Sequence, residues 1–197
     1  MKVLIIDTST SFLYVNFYDS EKNNTFFSKS MTTHNNHSEN LLPTIESGLK
    51  ECNLELKDFD IVVTGAGPGS YTGLRVGGVV SKMMAFTLNK ELRKISSLFF
   101  IGSGYLLNNG LYAISSVAKK NYKYFCILES KNGKVNIIHK DSFVSDEEYE
   151  EEVSKYKDII IVNEDNYKID SKVILDNSEK VNDIHNFIPD YLREANS

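Results

Sequence analysis

Tryptophan is absent from this 197-residue sequence, and the chain holds only two cysteines and three prolines. Cys52 and Cys126 are too few for a disulfide framework, and neither sits in a Cys-x-x-Cys pair, so a reducing, cytoplasmic setting is expected. No apolar run approaches the roughly 18 residues of a membrane span, and the start is not basic-then-apolar, so neither a span nor a signal peptide is expected. Arginine occurs only at positions 75, 93 and 193. Lysine plus arginine against aspartate plus glutamate number 10 to 10 over residues 1–100 and 12 to 17 over 101–197, giving the net charge of −5. No basic stripe is left to grip phosphates unaided, so any nucleic acid this chain serves is expected to be held by another component. Internal repeats and low-complexity tracts are missing too. The remainder, 41% hydrophobic and 25% charged, is ordinary for a globular chain long enough for one or two small domains.

What is present is organised around residues 65–78, Gly-Ala-Gly-Pro-Gly-Ser-Tyr-Thr-Gly-Leu-Arg-Val-Gly-Gly. Upstream, the β-branched run from Phe59 to Thr64 predicts a buried strand. Downstream, apolar residues from Val76 to Leu88 recur at helical spacing, and Ser70 is the expected N-cap. A glycine-rich turn that aims the first amides of a helix at open space can bind an anion. It is not a Walker loop, because no Gly-Lys-Ser/Thr follows; a tight turn with a structural role is the alternative. On the helix, Val76, Val79, Val80, Met83 and Thr87 gather on one face, expected to pack on the helix's own sheet. A second face collects Gly73, Gly77, Ser81, Met84, Ala85 and Leu88, mostly small. A helix apolar on two sides is either sandwiched inside a domain or shared with a partner. The small residues four apart favour a subunit interface, since interior glycine costs about 1 kcal/mol against alanine and several need a packing reason.

Along the chain, Val3–Ile6, Phe12–Tyr18 and Thr25–Ser28 predict an antiparallel meander. The polar turn Asp7-Thr8-Ser9 after the first strand is a candidate phosphate- or metal-facing site together with Gly67, Gly69 and Ser70. It lacks the glycine that lets a backbone approach phosphate closely. His34 and His37 read as loop histidines, and Ser38 as the cap of a helix with the stripe Leu41, Leu42, Ile45, Leu49, Cys52. Glu91–Ile95 reads as a strand, and Leu98–Leu107 as a helix capped by Ser96 or Ser97. Past the Asn108-Asn109-Gly110 turn come a hairpin of Tyr122–Glu129 and Lys134–His139, an acidic helix over 146–152 and a strand over 158–162. The order strand-strand-strand-helix-strand-helix predicts an α/β, actin-like (ASKHA, ribonuclease-H-like) fold of two lobes. The first is expected over 1–108. A smaller α/β lobe is expected over 109–197, its C-terminal segment packing back on the first.

The stretches Leu4-Ile5-Ile6-Asp7-Thr8-Ser9, His37-Ser38-Glu39-Asn40-Leu41-Leu42-Pro43, Gly67-Pro68-Gly69-Ser70-Tyr71-Thr72-Gly73-Leu74-Arg75 and Pro189-Asp190-Tyr191-Leu192-Arg193 together resemble the bacterial TsaB (YeaZ) family. The resemblance is firm over about residues 1–105 and thin afterwards. It implies the actin-like partner subunit of the machinery that makes threonylcarbamoyladenosine beside the tRNA anticodon. It also implies pairing with the catalytic subunit TsaD through first-lobe helices, a P-loop ATPase (TsaE) joining the assembly, and tRNA contacted only indirectly. The expected interface is Leu41, Ile45, Gly73, Leu74, Gly77, Ser81, Met84, Ala85 and Leu88, with self-association as a homodimer when the partner is absent. ATP or ADP would bind, if anywhere, at the complex interface. The family's Asp-Ala-Arg-like turn is matched here by Val117-Ala118-Lys119, which lacks the acid.

The implied function is thus a non-catalytic scaffold. The alternative is an actin-like phosphotransferase or a glycoprotease-type hydrolase, the latter needing Ser70 with a base such as His37 and Asp7 to orient it. The His-x-x-x-His metal pair of the catalytic relatives has no counterpart here. On the scaffold reading, Gly77→Leu is expected to leave the monomer folded and abolish pairing.

Overall fold

The computed structural model describes residues 1–32 and 36–192. Strands β1 (Lys2–Asp7), β2 (Phe12–Asp19) and β3 (Asn24–Thr32) form the meander. Helix α1 (His37–Cys52), strand β4 (Ile61–Gly65), helix α2 (Tyr71–Thr87) and strand β5 (Glu91–Ile95) follow. With β10 (Glu179–Lys180) they make a six-stranded sheet in the order β10-β5-β4-β1-β2-β3, in which β4 runs parallel to β1 and to β5. β1 and β4 are buried along nearly their whole length, as expected of parallel strands covered on both faces. Helix α3 (Ser97–Gly102) then leads to β6 (Gly110–Lys119), β7 (Tyr122–Lys131), β8 (Lys134–Ser145) and, beyond α4 (Asp146–Ser154), β9 (Ile160–Val162). These strands form a second sheet, β8-β7-β6-β9. Helix α5 (Ser171–Asn177) precedes β10.

Several local expectations are corrected. α1 begins at His37 with Asn36 as its N-cap and no side-chain cap bond, so Ser38 is not the cap. The third helix stops at Gly102, with a separate 3-10 turn over Tyr105–Leu107. β6 and α5 carry no clear period and escape sequence reading. Ser115 and Ser116 lie buried in β6, which breaks its hydrophobic alternation. The supposed turn at Val117–Lys119 is the bulged end of that strand. His34 lies outside the described residues.

The sheets change over between Leu107 and Gly110, but the core does not divide there. Ile5 and Val63 of the first sheet, Leu98 and Phe100 of α3, and Tyr112, Ile114 and Cys126 of the second belong to one buried cluster. The chain after α5 also returns to the first sheet, where β10 pairs antiparallel with β5. Among the described residues no helix is long and apolar enough to cross a membrane.

Candidate functional site

The turn after β1 and the turn before α2 meet face to face. Asp7 Oδ1 accepts hydrogen bonds from the Ser9 amide (2.7 Å) and hydroxyl (2.6 Å). Thr8 Oγ1 donates to the Gly73 carbonyl at 2.7 Å, and the Ser70 amide donates to the Ser9 carbonyl at 2.6 Å. The Gly67 amide donates to Ser97 Oγ (3.1 Å), and Ser70 Oγ caps α2 by accepting from the Gly73 amide (3.3 Å). Gly69 lies against the Ser9 backbone. The six residues expected to hold an anion are therefore brought together, but the amides of Gly67, Ser70 and Gly73 are bonded to protein. Asp7 is buried, and its Oδ2 has no hydrogen-bond partner. Burial raises its pKa against the opposing bonds from Ser9, with Ser97 a further favourable neighbour and Glu164 an unfavourable one. A carboxylate here disfavours phosphate.

The segment after β9 closes the cleft over Asp7. The Tyr167 ring lies 5.0 Å from that of Phe12, and its hydroxyl is 2.8 Å from Ser30 Oγ. Ser11 donates through its amide (3.2 Å) and hydroxyl (3.3 Å) to Glu164. Among the described residues, Asp7, Thr10, Tyr14 and Tyr167 line a cavity of about 10 Å³, at the lower limit for one water. Asp7, His37 and Ser70, the trio a hydrolase needs, are each held by a different group. Ser9 engages Asp7, the Thr10 backbone lies on His37, and Ser70 caps its helix. Burial pushes the His37 pKa down, with the Thr10 backbone opposing. Among the described residues no three His, Cys, Asp or Glu cluster in a way that could hold a metal.

Helix α2 is oriented opposite to the sequence expectation. Gly73, Leu74, Gly77, Ser81 and Ala85 are buried against the chain's own sheet, and Met84 joins them from the edge. A Cβ on Gly73 would stand 1.9 Å from the Thr8 carbonyl oxygen, and one on Gly77 would stand 2.5 Å from Thr8 Oγ1. The small residues thus admit the β1 turn of the same chain, not a second helix. Leu41 and Ile45, fully buried on α1, fill the core between the helix layer and the sheet. Leu88, at the C-cap, is partly buried. Much of the face expected to pack inward is open. Val79 is 54% exposed and Met83 62%, with Phe86 of the next turn 56% exposed. Val76 and Val80 are partly buried toward α1, which leaves Leu42 half exposed.

The C-terminal tail flanks that ridge. Lys82 Nζ donates to the His185 carbonyl, and Phe86 and His185 pack ring to ring at 4.5 Å. Tyr191 lies 5.0 Å from Tyr71, over which the Arg75 guanidinium sits at 4.2 Å. The Asp190 amide donates to the Ala66 carbonyl at 2.7 Å, pinning the tail to the glycine-rich turn. Sequence reading missed Phe86 although the signal was available: Val79, Met83 and Phe86 stand at i, i+4 and i+7, one helical stripe.

Three kinds of similarity bear on this arrangement. A family model described as TsaD, tRNA N6-adenosine threonylcarbamoyltransferase, matches residues 30–152. The tRNA threonylcarbamoyladenosine biosynthesis protein TsaB of Bacillus subtilis is 25% identical over 99% of this chain and 95% of its own length. The protein of the same description from Escherichia coli is 27% identical over 56% of this chain and 46% of its own. Among solved structures, YeaZ from Pseudomonas aeruginosa superposes with a TM-score of 0.66 at 22% identity, covering 73% of this chain and 67% of that one. An uncharacterized protein with similarity to peptidase YEAZ from Pseudomonas aeruginosa superposes with a TM-score of 0.78 at 19% identity, over 98% and 99% of the two chains. The two-sheet α/β architecture is the actin-like fold these structures share, and the chain belongs to the TsaD-related threonylcarbamoyltransferase family, in its TsaB (YeaZ) branch.

Proposed function

We propose that this chain is a non-catalytic partner subunit in the biosynthesis of tRNA threonylcarbamoyladenosine, binding a TsaD-type transferase through the outer face of α2. The observation that carries the reading is the apolar ridge of Val79, Met83 and Phe86, each more than half exposed on one helix stripe. Large apolar side chains at that spacing are characteristic anchors of a helix-mediated interface. The narrow cavity beside Asp7, about 10 Å³, agrees with the same reading, since a phosphotransferase that used this carboxylate would need substrate space next to it. A TsaE-type P-loop ATPase joins the assembly in the cytoplasm, any ATP or ADP is bound at the complex interface, and tRNA is held by the partners. Without TsaD the same ridge joins two copies of the chain as a homodimer.

The test is co-purification with a TsaD-type subunit, followed by reconstituted threonylcarbamoylation of tRNA with each component omitted. The proposal requires activity only when both subunits are present. Turnover by this chain alone would replace the scaffold with an enzyme, and Asp7 and Ser70 would become the residues to examine.

A further inference from the structure

Residues of the two sheets and of the C-terminal tail line a second cleft. It consists of two adjoining cavities of about 270 and 310 Å³ that share Ser96, Phe99, Ile137, Asp141 and Asp190. Each is near the size of a small-ligand site. The apolar lining includes Phe99 of α3, Leu128 of β7 and Ile137 of β8, of which Ile137 is 63% exposed. The polar groups are unevenly matched. Lys94 lies 3.7 Å from Asp190 and so already has its counter-charge. Lys140 and Glu179 are exposed. Asp141 is the enclosed acid. It has hydroxyl and thiol neighbours in Ser96 and Cys126 but, among the described residues, no cation paired to it. A partly desolvated carboxylate without a counter-charge favours a cation and opposes an anion.

We propose that this cleft binds a small organic cation, an amine or guanidinium carried on an apolar body, with the charged head on Asp141 and the body on Phe99, Leu128 and Ile137. The site is separate from the α2 ridge and does not depend on the partner-subunit reading.

The probe is phenethylamine, titrated onto the full chain while the Phe99, Leu128 and Ile137 resonances are followed by NMR, with phenylacetate as the anion of similar shape. The proposal expects saturable shifts at those three residues with the amine and none with the acid. Asp141→Asn should weaken the amine by about ten-fold or more through loss of a charged hydrogen bond. Ile137→Lys, at an exposed position, should block it by placing the chain's own ammonium at the opening. If Asp141→Asn fails to fold, as read by circular dichroism, Ile137→Lys carries the decision. Equal binding of both probes, amine binding unchanged in the folded variant, or no saturation at about 10 mM amine overturns the proposal.

Discussion

The reversal of the α2 faces yields one sharply opposed pair of outcomes, from Gly73→Ala and Met83→Glu. A methyl at position 73 meets the Thr8 carbonyl oxygen at 1.9 Å and its carbon at 3.1 Å. Both are backbone atoms, so no rotamer change relieves the contact and the helix must move away from the β1 turn. Overpacking of this kind costs about 1–3 kcal/mol. Separation also weakens the buried Thr8 hydroxyl bond to the Gly73 carbonyl, a further cost of about 1 kcal/mol. The helix propensity of alanine returns about 1 kcal/mol. The net is a destabilisation of about 2 kcal/mol, or about 4–8 °C in Tm for a chain of this size. Met83 is 62% exposed, so Met83→Glu should change Tm by no more than about 1–2 °C while placing a charge in the ridge. Thermal unfolding by circular dichroism, run beside size-exclusion chromatography with and without a TsaD-type subunit, separates the two effects. If Gly73→Ala melts like the parent and loses only pairing, while Met83→Glu pairs normally, the inward placement of the small face is refuted.

Gly77→Leu should now fail as a pure pairing variant and lose the folded monomer, since even its Cβ meets Thr8 Oγ1; a soluble, fully cooperative monomer would contradict this. Asp7→Asn addresses pH. Burial holds the Asp7 pKa above its ordinary 3.8, so the folded chain keeps a proton the unfolded chain releases. The stability this contributes is full below pH 3.8 and is lost as pH rises through the higher folded value. Urea titrations over that window should show a fall in the parent that the variant lacks, and parallel curves would refute the account. Tyr167→Ala should cost about 1–2 kcal/mol through the lost ring contact with Phe12 and hydrogen bond with Ser30. It should also raise amide exchange of Asp7–Thr10; unchanged protection there would mean that Tyr167 does not close the cleft.

The sequence by itself determined the elements whose chemistry is local. A short unbroken apolar run set β1 and a loose alternation set β2; Ser70 caps α2 as read, and of the two serines offered for α3 it is Ser96 that caps. Asn132 and Gly133, both at positive φ, turn β7 into β8. The order of these elements was enough to give the actin-like fold, while the family resemblance rested on the four motif stretches, the Gly67–Arg75 run above all. Tertiary structure alone decided which side of α2 faces out. A helix with two apolar faces has no internal preference, and the choice falls to whatever can come closest. The Thr8 carbonyl and hydroxyl require the absence of a Cβ at Gly73 and Gly77, so the small face turned inward and left Val79, Met83 and Phe86 to solvent. The candidate anion turn depends on the fold for a related reason: sequence shows which amides a turn makes available, and only the fold shows that the Ser70 and Gly67 amides are bonded to Ser9 and Ser97. The cleft around Asp141 was invisible for the strongest form of that reason, since Ser96, Cys126, Asp141 and Asp190 are distant along the chain and are brought together only by the two sheets and the returning tail.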